Sequence, residues 1–194
     1  AAIDARFPEL AHESSWEAAR QRQEVAPMTA ALADYFQVLR GEGWVIEQGD
    51  REARFSVDLD GATLSGSIDW LERHPDGRVR IVDLKTGASV PKALPELGNL
   101  QLRAYQLAVA LGTIEGIADG APTQARLLMP KLSRKDKRVD SDPYDQVADA
   151  FREHLRAAVD TMGGASFSAQ PAVHCTNRYA YGSCRIHVIP EVTE

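Results

Sequence analysis

The sequence has few cysteines and no long apolar run, and both absences narrow the class of protein. Cys175 and Cys184 are the only cysteines among 194 residues, too few for a disulfide scaffold. No apolar run approaches the roughly 18 residues that a membrane-spanning helix needs, and the chain does not open on a signal-peptide pattern. No internal repeat or low-complexity segment is present. We therefore expect a cytoplasmic globular protein with no membrane contact.

Two motifs that would define other functions are also missing. The sequence has no Gly-x4-Gly-Lys-Ser/Thr loop, which excludes an ATP-driven motor of that type within this chain. The five histidines show no metal-ligand spacing, and we interpret all of them as structural or surface residues: His12, His74, His154, His174 and His187.

Composition is that of an ordinary globular protein, with 44% hydrophobic and 26% charged residues. The net charge of −6 gives no general attraction for nucleic acid. One run is nevertheless basic, and it is either a solvated loop or a surface that follows a phosphate backbone. This basic run contains Lys131, Arg134, Lys135, Lys137 and Arg138.

Periodicity predicts helix, strands, helix, strand and helix in that order. The first helical region covers 15–26 and 27–40, where Pro27 either starts a second helix or kinks a single long one. Strands are predicted over 44–48, 52–59, 62–73 and 78–85. A helix is then predicted over 96–112, a strand over 123–130, a charged loop over 131–142 and an amphipathic helix over 143–162. We expect a core over 1–164 that includes the N-terminal helical segment, and an irregular tail over 165–194 packed on that core.

Two aspartates are predicted to face each other across a hairpin. Pro75-Asp76-Gly77 lies between two apolar runs and is a turn signal. Folding the chain about Asp76 pairs Asp69 with Asp83. Because like charges directly opposite one another destabilise a sheet, this pairing suggests that a cation lies between the two carboxylates. Lys85 shares a strand face with Asp83, about 7 Å further along.

These residues suit a divalent metal site. Mg²⁺ or Mn²⁺ takes oxygen ligands, and Asp69, Asp83 and the main-chain carbonyl of Leu84 could supply them. Lys85 would orient or deprotonate a water, or stabilise charge on a phosphate. The alternative is a surface strand with an ordinary Asp-x-Lys ion pair, which contributes little. The apolar residues around both aspartates weaken that alternative, since buried charges need a partner or a metal.

Three further residues are candidates for supporting roles. Gln101 and Tyr105 lie four residues apart on one helix face. They either pack a helix edge on the sheet, or contact the phosphate backbone of DNA or position Lys85. Glu52, on the polar face of its strand, is either an additional acidic group near the metal or an exposed strand glutamate.

The motifs Gly66-Ser67-Ile68-Asp69, Val82-Asp83-Leu84-Lys85-Thr86-Gly87 and Gln101-x3-Tyr105 together resemble the nuclease domain of the RecB and AddAB group. This group belongs to the PD-(D/E)XK superfamily, and the sequence is most similar to the C-terminal nuclease domain of an AdnAB-type helicase-nuclease subunit. The similarity covers residues 50–112 well and the helical ends in outline.

The resemblance implies an α/β fold, with a central mixed sheet flanked by helices and a PD-(D/E)XK (restriction-endonuclease-like) core. It also implies an exonuclease-type deoxyribonuclease that uses Mg²⁺ or Mn²⁺, with Asp69, Asp83 and Lys85 as catalytic residues. Single-stranded DNA would be fed to it by a helicase motor, in the same polypeptide or a partner subunit, during double-strand end resection for recombinational repair. A non-catalytic DNA-guiding domain and a stand-alone exonuclease of the same fold remain the alternatives.

The sequence departs from the pattern of these relatives in two ways. No residue convincingly matches their metal-binding histidine on an early helix, and we expect the chain to be a piece of a longer protein. Many relatives hold an iron–sulfur cluster through an early cysteine and a late Cys-x2-Cys-x5-Cys. Here Cys175 and Cys184 keep the outer spacing, Arg178 occupies the middle position, and no early cysteine exists. Because a cluster needs four thiolates, we expect none.

Overall fold

The computed structural model describes Phe7 and residues 14–47, 52–59, 61–118, 120–133 and 137–165. Its helices are α1 (Ser15–Gly41), α2 (Leu100–Ala110) and α3 (Ala148–Gly163), with a 3₁₀ turn at Tyr144–Gln146. Its strands are β1 (Val45–Ile46), β2 (Ala53–Leu59), β3 (Ala62–Ile68), β4 (Trp70–Arg73), β5 (Val79–Leu84), β6 (Thr123–Leu128) and β7 (Arg138–Asp140). None of the helices in this part of the chain is long and apolar enough to cross a membrane.

The central sheet of the described residues has five strands in the order β1-β4-β5-β6-β7. Strands β5 and β6 are parallel and the other neighbours are antiparallel. Strands β2 and β3 form a separate antiparallel ribbon. In the β4–β5 hairpin Trp70 pairs with Val82, which is the register of a hairpin folded about Asp76. The predicted mixed α/β fold, with a central sheet flanked by helices, is therefore confirmed.

Two predictions about strands were wrong. The segment 62–73 is two strands rather than one, because Ile68 pairs within the ribbon whereas Trp70 pairs within the central sheet. The chain changes sheets at Asp69. The segment 131–142 is not wholly a loop, since it contains β7 on the sheet edge. Its charged sequence suits an edge strand, and the carboxylate of Asp140 on β7 pairs with Arg126 on β6 at 2.5 Å.

The helix boundaries also differ from those predicted. Helix α1 is one continuous helix that contains Pro27, so the single-helix alternative is the observed one. Helix α2 begins later than residue 96, because the side chain of Asn99 accepts a hydrogen bond from the main-chain N–H of Leu102 and caps the helix. Gly98 precedes that cap with a φ of 72°, in the left-handed region that favours glycine. Helix α3 starts only after the 3₁₀ turn.

The central sheet carries a hydrophobic core on each face. Alternation along β5 sends Val79 and Ile81 into the larger core, which includes residues of α2 and of the ribbon. Val82 belongs to the smaller core, which includes residues of α1. By the same alternation, Asp83 faces the α2 side of the sheet.

Helix α2 is tied to its surroundings by Arg103, which is 1% exposed. The guanidinium donates to the carbonyl of Leu97 at 2.6 Å, to the carbonyl of Asp142 at 2.7 Å and to the side chain of Gln106 at 2.9 Å. Burial lowers the pKa of Arg103 from its usual value. Arg103 thus donates to one carbonyl just before α2 and to another that lies 39 residues after Arg103 in the sequence. These bonds fix the position of α2 against the sheet.

Candidate active site

Asp69 lies in the bend where the chain leaves the ribbon and enters the central sheet. Its side chain is exposed, and its Oδ2 accepts a hydrogen bond of 2.6 Å from the main-chain N–H of Leu84. This bond crosses from the start of β4 to the end of β5, which is where the hairpin register brings Asp69 opposite Asp83. The carboxylate is thus fixed where β4 begins and β5 ends, while it stays accessible to solvent.

Asp83 is 2% exposed. Its Oδ2 lies 2.8 Å from Nζ of Lys85, whose side chain is 32% exposed. The contact has the distance of an ion pair, but its geometry is not that of a hydrogen bond, and this buried oxygen has no hydrogen-bond partner within the described part of the chain. The predicted alignment of Asp83 and Lys85 on one strand face is observed.

Helix α2 brings the two predicted supporting residues to the same carboxylate. Gln101 Nε2 donates to the hydroxyl of Tyr105 at 2.6 Å, and that hydroxyl donates to Oδ1 of Asp83 over a long 3.4 Å. Burial and then the charge of Asp83 raise the pKa of Tyr105 to about 12. The phenol is therefore protonated at neutral pH and available as a donor.

Phe55 and Gly66 hold Tyr105 in place, and neither was predicted to support the site. The ring of Phe55 meets that of Tyr105 edge to face, with centroids 5.7 Å apart. Gly66 pairs with Phe55 across the ribbon, and a Cβ at Gly66 would lie 3.0 Å from the Phe55 ring. Apolar and polar residues alternate along β2, which places Phe55 on the buried face. The contact of Phe55 with Tyr105 on α2 could not be predicted, because no pattern in the sequence indicates it.

Glu52 and the basic run are not joined to this site by any contact that the structure describes. Glu52 is exposed and comes directly before Ala53, which pairs with Ile68, so it lies at the same end of the ribbon as Asp69. Lys131 in the basic run pairs with Glu24 of α1 at 3.5 Å. Lys137 donates to the carbonyl of Leu132. The metal role of Glu52 stays a prediction, and two lysines of the basic run have intramolecular partners.

The site fits a hard divalent cation. The described residues contain no group of three or more His, Cys, Asp or Glu side chains placed to hold a metal ion. Asp69 and Asp83, which the hairpin register brings opposite each other, and the adjoining Leu84 carbonyl nevertheless offer only oxygen atoms as ligands. Mg²⁺ is commonly bound through one or two carboxylates plus waters and substrate phosphate. The buried Oδ2 of Asp83 accepts no hydrogen bond from the described residues and is the atom that such an ion would satisfy.

The comparisons with known proteins define the class. The model of the PD-(D/E)XK nuclease superfamily matches residues 1–187, and the chain belongs to this superfamily. No curated protein matches.

Two solved structures are similar in outline only. A protein of Eubacterium rectale named as a putative exonuclease is 13% identical, with a TM-score of 0.43; the match covers 81% of this chain and 59% of that one. The structure named SSO0001 is 17% identical, with a TM-score of 0.33; the match covers 77% of this chain and 70% of that one. The chain thus spans less than two thirds of the E. rectale structure.

The predictions for the C-terminal tail fall almost entirely on residues 166–194, which the structure does not describe. Cys175, Arg178 and Cys184 lie outside the described residues. The packing of residues 165–194 on the core and the absence of an iron–sulfur cluster therefore stay predictions. His12 also lies outside the described part.

Proposed function

We propose that this chain is a metal-dependent deoxyribonuclease domain that hydrolyses DNA phosphodiesters at the site formed by Asp69, Asp83 and Lys85. The observation that carries the proposal is the buried Asp83, whose Oδ2 has a lysine at 2.8 Å but no hydrogen bond from any residue that the structure describes. Burying a carboxylate that lacks full hydrogen bonding costs free energy, and a bound cation shared with the facing carboxylate of Asp69 would offset that cost. Membership of a nuclease superfamily supplies the reaction class.

Each residue has a role that follows from its position. Asp69 and Asp83, with the Leu84 carbonyl, would hold Mg²⁺ or Mn²⁺, which supplies Lewis acidity toward the phosphate when bound. Lys85 is partly exposed and can swing from Asp83 toward a phosphate oxygen, where its charge offsets the negative charge that develops during hydrolysis. Tyr105 holds Oδ1 of Asp83, and Gln101 holds Tyr105. Glu52, at the same end of the ribbon, is a lesser candidate for contact with DNA.

The finer assignment is to the RecB and AddAB group, most like an AdnAB-type subunit. It is supported by the order and spacing of the three motifs, which contain Asp69, then Asp83 and Lys85, and then Gln101 and Tyr105. The net charge of −6 gives little long-range attraction for DNA. We therefore infer that a helicase motor delivers a single strand to an exonuclease-type site, as in the resection of double-strand ends.

Cleavage of labelled single-stranded DNA in the presence of Mn²⁺ tests this function. We expect cleavage by the chain, loss of cleavage in Asp83→Ala, and retained cleavage in Asp58→Ala. Asp58 is the matched control because it is an exposed aspartate at the far end of the ribbon. Equal cleavage by Asp83→Ala and the parent chain would show that the active site lies elsewhere. DNA binding with no cleavage, in this chain and in a longer one that includes the motor, would indicate the non-catalytic guiding domain.

A further inference from the structure

A carboxylate is buried on the face of the sheet opposite Asp83. Glu72 on β4 is 0% exposed. Its Oε1 accepts from the hydroxyl of Tyr35 at 2.7 Å and from Nε1 of Trp70 at 3.1 Å, and its Oε2 accepts from Nε of Arg80 at 2.5 Å. A buried carboxylate with three donors, one of them a guanidinium, is well compensated.

The hydrogen bonds of this buried cluster extend across the sheet. Arg126 on β6 donates to the Tyr35 hydroxyl at 3.3 Å and pairs with Asp140 on β7. Burial and then the charge of Glu72 raise the pKa of Tyr35, so its hydroxyl stays protonated and serves as a donor. The cluster thus connects α1, β4, β5, β6 and β7, and its members Tyr35, Glu72, Arg80 and Arg126 are buried whereas Asp140 is half exposed.

Trp70 is the member of this cluster that touches the proposed site, because it directly follows Asp69. Its indole is held by Glu72 and packs near Phe36 of α1, with ring centroids 6.3 Å apart. On the other side of Asp69, Ile68 is fully buried. The exposed Asp69 is thus flanked by two anchored residues at the point where the chain changes sheets.

We propose that Glu72 is a positioning residue: through the indole of Trp70 it fixes the main chain at Asp69, and so the hydrogen bond from Asp69 to the Leu84 amide. The part of this inference that concerns metal binding rests on the proposed function. Glu72 lies on the opposite face from Asp83 and touches no reacting group. Its effect is on the direction in which Asp69 presents its carboxylate.

Two variants separate positioning from stability. Trp70→Phe removes the indole donor but keeps an aromatic ring beside Phe36. Tyr35→Phe is the matched control, because it removes the other donor to the same Glu72 oxygen from a residue on α1 that is distant in sequence from Asp69. Both variants should lose some stability. Only Trp70→Phe should weaken the hydrogen bond between the Asp69 carboxylate and the Leu84 amide.

The first measurement uses the metal-free protein. NMR follows hydrogen exchange of the Leu84 amide, which donates its hydrogen bond to the carboxylate of Asp69. The reference is the Met129 amide, which donates to the carbonyl of Lys137. We expect faster relative exchange at Leu84 in Trp70→Phe and unchanged relative exchange in Tyr35→Phe. The same change in both variants, or in neither, would overturn the positioning role.

The second measurement is Mn²⁺ binding by calorimetry. We expect the Kd to rise about tenfold in Trp70→Phe, the size typical for loss of a residue that orients a metal ligand, and to change little in Tyr35→Phe. Equal affinity in the parent and in Trp70→Phe would refute the effect on metal binding. If the parent chain binds no Mn²⁺ while Leu84 exchange behaves as expected, the proposed nuclease function fails and the positioning of Asp69 stands.

Discussion

Nζ of Lys85 lies 2.8 Å from Oδ2 of Asp83, so a flexible cation is paired with a carboxylate that is almost completely buried. Lysine carries its charge on a stem with several rotatable bonds, and the side chain of Lys85 is 32% exposed. It can therefore leave the carboxylate without a change of fold. In the absence of a metal ion, Lys85 supplies the positive charge that the Asp83 site needs.

Removal of that cation should affect both stability and activity. Lys85→Ala leaves the buried Asp83 charge without its ion pair, and we expect a loss of about 1–3 kcal/mol in the free energy of unfolding without metal. Mn²⁺ should raise the melting temperature of Lys85→Ala more than that of the parent, because the ion replaces the missing charge. Cleavage of single-stranded DNA should fall by at least about 100-fold. Lys92→Ala, at an exposed lysine, is the control and should match the parent.

Asp69→Ala should also abolish cleavage, with a different effect on stability. Its carboxylate is exposed and accepts one hydrogen bond, so the metal-free protein should lose only about 0.5–1.5 kcal/mol. Removing one of two facing carboxylates also removes their repulsion, which offsets part of this loss. Chemical denaturation and cleavage assays on the same preparation check both outcomes. A folded Asp69→Ala variant with parental activity would contradict the assignment.

Gly66→Ala should disturb the support of Tyr105. The added Cβ would lie 3.0 Å from the ring of Phe55, which packs against Tyr105. We expect a loss of about 1–3 kcal/mol from this overpacking, together with reduced cleavage. Gly41→Ala is the control: nothing lies within 4 Å of a Cβ there, and alanine near the end of α1 should be neutral or stabilise by up to about 1 kcal/mol. Equal effects of the two substitutions on cleavage would refute the packing argument.

The raised pKa of Tyr105 predicts a specific pH dependence of stability. Its pKa is 10.0 in the absence of interactions and about 12 in the folded protein. A pKa raised on folding stabilises the protein fully below about pH 10, and this contribution is lost as pH rises toward about 12. The difference in unfolding free energy between the parent and Tyr105→Phe should therefore be constant up to about pH 10 and shrink above it. Phenolate absorbance of the two proteins checks the pKa itself, and a difference spectrum that titrates near 10 would contradict it.

Arg103→Leu should be among the more destabilising single changes. The substitution keeps an apolar stem but leaves the carbonyl of Leu97 and Oε1 of Gln106 without the donor that Arg103 supplies, whereas the carbonyl of Asp142 keeps the side-chain amide of Gln106 at 3.2 Å. Each unsatisfied buried group costs about 1–3 kcal/mol, so we expect a loss of at least about 2 kcal/mol. Arg54→Leu, at an exposed arginine of β2, should change stability by less than about 0.5 kcal/mol. Urea denaturation of both variants gives the comparison.

The prediction that the C-terminal tail binds no iron–sulfur cluster is tested by elemental analysis. Cys175 and Cys184 supply two thiolates where a cluster needs four. We expect no stoichiometric iron or labile sulfide in anaerobically purified protein, and two thiols titratable after reduction. Iron and sulfide at cluster stoichiometry would show that other ligands complete the site.

The hairpin and the alignment of the acidic residues could be predicted from the sequence because both are local. The turn at Asp76 fixes the register of Asp69 and Asp83, and the period of a strand fixes the face of Lys85. The four-residue spacing of Gln101 and Tyr105 likewise places them on one helix face. The sequence could not show that Tyr105 reaches Asp83, since that contact depends on how α2 is seated by the buried Arg103.

The break of strand 62–73 at Asp69 could not be predicted for a related reason. The alternation of apolar and polar residues continues through Ile68 and Trp70 without interruption, so the periodicity predicts a single strand. The two residues pair in different sheets, and that depends on partners elsewhere in the chain. The role of Glu72 was hidden in the same way, because a glutamate within a strand is usually exposed, and its three donors come from α1, β4 and β5.

The parallel pairing of β5 with β6 has a consequence for the order of folding. The β4–β5 hairpin closes a short loop, so Asp69 and Asp83 can approach each other soon after collapse. Strand β6 can join β5 only after the crossover that contains α2 has formed, and non-local parallel pairing is intrinsically slow. We therefore expect the two carboxylates to meet before Tyr105 and Gln101 reach them. The nascent chain would then carry two facing carboxylates that Tyr105 and Gln101 do not yet contact, and the cation of the proposed function would offset their repulsion at this stage.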